Sequence, residues 1–398
     1  MDFTLTEQQQ AITDLAGTIL GERCPPEVLR EVERSGDRTA ADAWKALASA
    51  DLLGLALPED AGGSGLGALD ACLVAEQVGR HVALVPYWPT VAAATAVARW
   101  GDAEARRRWL PGAVDGTAPL AVALWEPGVP GIADRPSASA IPDGDGGGWR
   151  LHGTRQPVPW ASRAAAVLVP ARIVEPGGPR PGDPGDPGDA GDPSDVSGAG
   201  DRLALFAVAP DGPGVTVVDE TPVSLEPHST IVLDGAPVGP GALVAGPPDG
   251  ARALAWLRQR TTALLCATAL GVAEQALALT ARHVTERHQF GAPIGTFQAV
   301  AHRCADAYID TEAIRLTTWQ AVWRLDAGLD ADDALSVAAF WVTEGGQRVV
   351  HAAQHLHGGI GVDVDYPIHR YFRWAKVLEL LVGGATGSLL RLGASLRG

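Results

Sequence analysis

Arg287-His288-Gln289-Phe290-Gly291-Ala292-Pro293-Ile294-Gly295-Thr296-Phe297-Gln298 stands between two long Ala- and Leu-rich stretches, and its reading decides the fold. The segment starts at a helix end, turns at Gly291-Ala292-Pro293, where Gly and Pro interrupt any regular element, and enters a new helix near Thr296. Before it, apolar residues keep helical spacing from about 251 to 288. After it the same spacing resumes over 297–327, 331–357 and 367–396, with a second turn signal at Gly358-Gly359. Four helical segments in series predict a four-helix bundle over 241–398.

Working outward, the composition changes between 118 and 240. Gly, Pro and β-branched residues rise, and Ala165-Ala166-Val167-Leu168-Val169, Leu203 to Val208, Val215 to Val218 and Thr230 to Leu233 read as strands. They predict a small β-domain, a barrel or a sandwich. Inside it, Glu175 to Asp201 repeats Gly-Asp-Pro at 182, 185 and 191; such a tract buries too little apolar area to offset its ordering entropy and is expected to be a disordered insert. From Thr6 to about Val114 helical spacing returns, as in Ile12, Leu15, Ala16, Ile19 and Leu20. Leu57-Pro58-Glu59-Asp60-Ala61-Gly62-Gly63 separates two helical stretches there, the second starting near Leu66. The expected class is α+β, with an N-terminal helical domain over 1–117, a β-domain over 118–240 and the bundle behind it.

The chain of 398 residues carries a net charge of −16, and the insert supplies seven acidic residues against Arg180. An acidic surface excludes bulk electrostatic binding to nucleic acid or to an anionic membrane. Cys24, Cys72, Cys266 and Cys304 are far apart and form no ligand pattern, which points to reduced thiols and a cytoplasmic compartment. Asp2 and Glu7 stand where a signal peptide would be basic or apolar. No uninterrupted, uncharged apolar stretch reaches the ~20 residues that span a bilayer.

Familiar constellations are missing: no G-x-G-x-x-G, no Walker loop, no H-E-x-x-H. His351 and His355 are i,i+4 neighbours without a third ligand, so no metal site is expected. Trp256, Trp319, Trp323 and Trp374 fall on helical faces and read as core packing.

Two stretches carry more. The opening segment, together with His355-Leu356-His357-Gly358-Gly359-Ile360-Gly361 and His369-Arg370-Tyr371-Phe372, resembles the C-terminal domain of the acyl-CoA dehydrogenase family. Met1-Asp2-Phe3-Thr4, Trp125-Glu126-Pro127-Gly128 and Phe206-Ala207-Val208-Ala209-Pro210 match the family in the same order, so the resemblance covers nearly the whole chain outside the insert. It implies that Arg287 pairs with the pyrophosphate of FAD, Phe290 packs on the cofactor, Gln298 and His355 hydrogen-bond it, and Gly358 and Gly359 let backbone amides approach. Family members use this set on an FAD held mainly by the neighbouring subunit. Taken singly, Arg287 also fits a helix C-terminal charge and Gly358-Gly359 a plain helix stop.

The resemblance also shows what is lacking. The family's proton-abstracting Glu precedes a Gly on the last helices, where this chain reads Leu381-Val382-Gly383-Gly384. A subgroup carries its Glu earlier, where Gln259-Arg260-Thr261-Thr262-Ala263 stands. The family's T-E-P-G becomes Trp125-Glu126-Pro127-Gly128, and its W-I-T over the flavin becomes Pro157-Val158-Pro159. With no catalytic residue of its own, the chain resembles the base-less subunit of actinobacterial heterotetrameric steroid side-chain acyl-CoA dehydrogenases, two chains of each kind, acting on an acyl-CoA with a base-bearing partner. Three alternatives stay open: a self-sufficient homo-oligomer using Glu379 as a displaced base, a non-catalytic scaffold, and a flavin monooxygenase on the same fold.

Overall fold

The computed structural model describes residues 4–144, 147–174 and 203–397. The expected insert over 175–201 lies outside the described residues. The N-terminal part is helical: α1 (Glu7–Arg23), α2 (Pro26–Arg34), α3 (Ala41–Ser49), α4 (Ala68–Arg80), α5 (Tyr87–Trp100) and α6 (Ala103–Val114). Thr6 starts α1 with a capping box, its hydroxyl accepting from the Gln9 amide at 3.2 Å while the Gln9 side chain accepts from the Thr6 amide at 3.0 Å. α4 begins two residues after Leu66, where Asp70 accepts from the Gly67 amide at 3.1 Å.

The middle part holds β1 (Leu120–Val122), β2 (Ser139–Asp143), β3 (Gly148–Pro159), β4 (Ala166–Ile173), β5 (Leu203–Val208), β6 (Val215–Glu220), β7 (His228–Val238) and β8 (Leu243–Ala245). They make one eight-stranded sheet in the order β6-β7-β3-β2-β4-β5-β8, with β1 also on β4. β1 and β2 pair with β4 in series and parallel, Leu120 to Val122 opposite Ala166 to Leu168 and Ser139–Ala140 opposite Arg172–Ile173. The chain between β1 and β2 therefore leaves the sheet and returns, and it carries Trp125-Glu126-Pro127-Gly128. Alternation sets the two faces. Ala166 and Leu168 join the large core shared with the helices, whereas Val167 and Val169 join a separate core on the other face.

The C-terminal part contains α7 (Gly250–Glu286), the two-residue strands β9 (His288–Gln289) and β10 (Ala292–Pro293), α8 (Gln298–Asp326), α9 (Asp332–His357), α10 (Ile368–Val382) and α11 (Gly384–Ser395). The segment expected as one helix over 367–396 is two. Gly383 and Gly384 take φ of +97° and +72°, which no straight α-helix accommodates. By length and composition α7 could cross a bilayer, as could the run Ile368–Ser395, but most of the apolar window of α7 is buried inside the protein.

α7 binds the two helical parts together. At its crossing with α4, a Cβ on Gly271 would lie 1.9 Å from the Glu76 carbonyl oxygen, and one on Gly79 would lie 1.8 Å from that of Thr268. Both positions must be glycine for the backbones to meet. Beside the crossing, Glu274 takes ion pairs from Arg80 and from Arg315, the latter at 2.7 Å, and Arg80 also reaches Glu76 at 3.5 Å. The Tyr371 hydroxyl of α10 donates to the Arg80 carbonyl at 3.0 Å. Burial first, and then the Glu274 carboxylate, pushes Glu76 up to about 7.

A carboxyl raised in this way holds its proton more tightly folded than unfolded. Its contribution is fully present below about pH 4.5 and is lost as the pH rises through about 7. Urea unfolding at pH 5 and pH 8 checks this: Glu76→Gln is expected to match wild type at pH 5 and exceed it at pH 8. Gly271→Ala should lose about 3 kcal/mol, the upper end of overpacking costs, because the clash is with backbone. An unchanged denaturation midpoint would show that the helices can separate without loss.

Candidate functional site

The opening segment folds more tightly than a helix-turn-helix. α7 ends at Glu286 with Arg287 as its extended C-cap, and β9 and β10 pair antiparallel, Gln289 opposite Ala292 and His288 opposite Pro293. Phe290 and Gly291 form the two-residue turn with φ of +54° and +81°, the arrangement of a type I′ hairpin. The Ile294 amide donates to the Arg287 carbonyl at 2.8 Å and closes the hairpin base. A short 3-10 turn over Ile294–Thr296 follows, so α8 starts at Gln298 rather than near Thr296. A bulky residue with positive φ is strained by about 1–3 kcal/mol. Here it holds a phenyl ring 94% exposed, touching Phe297 edge-on at 6.1 Å. Arg287 and Gln298 are exposed beside it, and Arg287 has no ion-pair partner among the described residues.

His355, Gly358 and Gly359 lie at the end of α9. His355 is exposed, and Gly358 leaves the helix at φ +60°. A Cβ at Gly358 or Gly359 would meet nothing within 4 Å, so this backbone is open to close approach. The two groups adjoin through a histidine pair: His283, one turn before Arg287, stacks on His357 with ring centroids 4.4 Å apart, and Tyr366 packs on both. His357 is buried and its Nδ1 donates to the Ala353 carbonyl at 2.8 Å. Burial, then His283, holds it below the usual histidine range, and burial, then Arg287, does the same for His283. The ends of α7 and α9 thus present one exposed surface of a cation, a phenyl ring, an amide, an imidazole and open backbone.

Leu381-Val382-Gly383 is the opposite case. Trp125 is fully buried, its Nε1 donates to the Leu381 carbonyl at 2.8 Å, and its ring meets Trp88 edge-on at 5.9 Å. A Cβ on Gly131 would be 2.5 Å from the Gly383 Cα. A cavity of about 240 Å³ remains beside Val382, with Ile132, Gln259, Thr262 and Arg391 in its wall. Its three largest polar side chains each have a partner: Arg258 pairs with Asp134, Gln259 donates to Asp332 at 2.8 Å, and Arg391 donates to the Val382 carbonyl at 3.0 Å. Glu379 does not line it. Its carboxylate pairs with Lys376 at 2.8 Å and accepts from Gln347 of α9. Val158 and Trp160 are buried at the end of β3, Trp160 with φ +63°.

Comparison with known proteins decides the family. Residues 6–117 match the acyl-CoA dehydrogenase N-terminal domain and residues 249–395 the C-terminal domain. The chain is 38% identical to "Acyl-CoA dehydrogenase FadE27" of Mycobacterium tuberculosis over all of itself and 99% of that protein. It belongs to the acyl-CoA dehydrogenase family. The family comprises oxidoreductases acting on CH–CH bonds, and its cofactor is FAD. Among solved structures, the "ChsE4-ChsE5 complex from Mycobacterium tuberculosis" matches at 38% identity and a TM-score of 0.87, covering 100% of this chain and 99% of that one. A variant of the "Tcur3481-Tcur3483 steroid ACAD" matches at 44% identity and a TM-score of 0.85, covering 99% of both.

The family's cofactor fits the exposed surface chemically: an unpaired guanidinium suits a pyrophosphate, a bare phenyl ring suits a flat ligand, and two unobstructed glycines admit both. Sequence reasoning missed a feature near the other end. Glu126 is buried in an ion pair with buried Arg155 and accepts from the Ser137 amide at 2.6 Å, while Arg155 donates to the Pro170 carbonyl at 2.6 Å. The available signal was a charge at an inward position of β3. Among the described residues no group of three His, Cys, Asp or Glu is arranged to hold a metal.

Asn tolerates positive φ better than Phe. Phe290→Asn is therefore expected to leave the lone chain equally stable or to gain about 0.5–1 kcal/mol in urea unfolding. A clear loss of stability would mean that the ring packs within its own chain.

Proposed function

We propose that this acyl-CoA dehydrogenase chain is the base-less subunit of a heteromeric enzyme. It presents Arg287, Phe290, Gln298, His355, Gly358 and Gly359 to the ADP half of an FAD whose ring lies in a homologous partner, and the partner supplies the catalytic Glu. The observation that carries the reading is the contrast within one chain: the ADP-side residues are exposed and Arg287 has no ion pair among the described residues, whereas the place expected for the base holds a buried Val382, next to a Leu381 whose carbonyl accepts from Trp125. The ChsE4-ChsE5 and Tcur3481-Tcur3483 structures, each named for a pair of chains, support a two-chain enzyme, and the second is described as a steroid ACAD. From these we take a heterotetramer with two chains of each kind and a steroid side-chain CoA ester as substrate.

When bound, FAD supplies the acceptor for the substrate's β-hydride. This chain's residues do the holding: Arg287 neutralises pyrophosphate charge, Phe290 covers an apolar face and excludes water, and Gln298 and His355 donate or accept at the cofactor edge. None of the six removes a proton from substrate. Loss of a general base costs about 10² to 10⁴ in rate, so the lone chain is expected to be almost inactive.

Co-expression with a homologous base-bearing subunit tests this by native mass, flavin content and acyl-CoA oxidation. The expected result is a yellow complex with about one FAD per pair of chains, inactive lone chains, and at least a tenfold loss of flavin in Arg287→Ala without dissociation of the complex. A lone chain that turns over as fast as the complex, and loses that activity in Glu379→Gln, would overturn it.

A further inference from the structure

The first turns of α7 border two cavities on different faces. Ala255, Gln259 and Thr262 face the one at Val382, while Trp256, Arg260 and Leu264 face a larger one, of about 420 Å³, between α4, α5, α7 and α8. That volume is in the range of small-molecule sites, about 300–1,000 Å³. Its floor is apolar and buried, made by Ala71, Cys72, Val91 and Leu264. Burial raises the Cys72 thiol, so this wall is uncharged.

The mouth is cationic. Trp256, expected in the core, is half-buried here and serves as a platform: the Arg260 guanidinium lies 3.8 Å from its ring centroid and that of Arg99 lies 5.7 Å away. Neither guanidinium has an ion pair or a hydrogen bond among the described residues. Arg106 is different, since it donates to the Ala98 carbonyl at 2.8 Å and pairs with Asp60 at 3.4 Å. Asp326 is the carboxylate among the lining residues; it is exposed and accepts from the Leu69 amide at 3.4 Å. Burial, then Arg99, brings Arg260 down to about 10, and Asp326 opposes the shift without cancelling it.

We propose that this cavity binds a short- to medium-chain carboxylic acid, its carboxylate between Arg99 and Arg260 and its apolar tail on the floor. Two guanidiniums suit a planar carboxylate, one acidic neighbour disfavours a dianion, and a buried apolar floor requires a tail. The site is independent of the shared-flavin reading and of any turnover.

Titration calorimetry on the purified full chain, in its complex, with octanoate and with 1-octanol as the neutral counterpart, tests it. The expected result is one octanoate per chain at this site, at least tenfold tighter than octanol, about 1.4 kcal/mol. Arg260→Gln should remove that preference and leave octanol binding unchanged. Arg99→Gln, at an exposed position, should weaken octanoate several-fold and decides the matter should Arg260→Gln not fold. Equal binding of acid and alcohol, no saturable octanoate binding at millimolar concentration, or wild-type affinity in the variants would overturn the proposal.

Discussion

The approach of α4 to α7 at Gly79 and Gly271 is the constraint on which the rest depends. Carbonyl oxygens of each helix occupy the space that a Cβ of the other would need, so the two helical parts meet backbone to backbone. α7, about 55 Å long at 1.5 Å per residue, then acts as a rigid reference. One face meets α4, two others border the cavities, and its end delivers Arg287 to the hairpin. The charged cluster of Glu76, Arg80, Glu274 and Arg315 sits on this joint because the crossing buries it. Such a cluster stabilises little in itself, yet breaking it leaves an unpaired buried charge.

Beyond the joint, packing explains why several departures from the family pattern occur together. A slot built for a flavin ring and left empty is a cavity, and cavities cost about 24 cal/mol per Å³. Trp125 is buried against Trp88 and bonded to Leu381, Val382 is buried, and the loop at Gly131 closes on Gly383. Together they bury Trp125 and Val382 and leave a cavity of about 240 Å³ beside Val382. The hairpin shows the reverse, since an exposed phenyl ring on a strained turn gains only an edge contact with Phe297 within this chain.

Much of this was legible in the sequence. Helical periodicity located the long helices to within a few residues, because burial of Ala and Leu faces dominates there. β5 is legible at Leu203–Val208, an uncharged run of apolar residues without Gly or Pro. The break at Gly383 carries the same Gly-Gly signal as Gly358-Gly359, but the apolar spacing that continues on both sides outweighs it in the sequence, and contact with Gly131, far away in the chain, fixes the bend. The hairpin at Phe290 was hidden for a similar reason: Phe is a poor choice for positive φ, so propensity argues against the turn that forms. For the candidate site, residue identity was readable but exposure was not. Nothing local reveals that Phe290 is bare while Trp125 is enclosed.

Polar satisfaction finally separates the two cavities along α7. Beside Val382, Arg258, Gln259 and Arg391 each find a partner in the chain, so a ligand there would have to break existing bonds before making its own. Beside Trp256, two guanidiniums lie over an indole face with no ion pair or hydrogen bond among the described residues, so a carboxylate arriving there breaks no existing bond of either. The smaller cavity therefore offers a ligand few free polar partners. The larger one sets Arg99 and Arg260 against a single exposed carboxylate, Asp326, and an excess of free donors over an apolar floor is what separates a binding site from a packing defect.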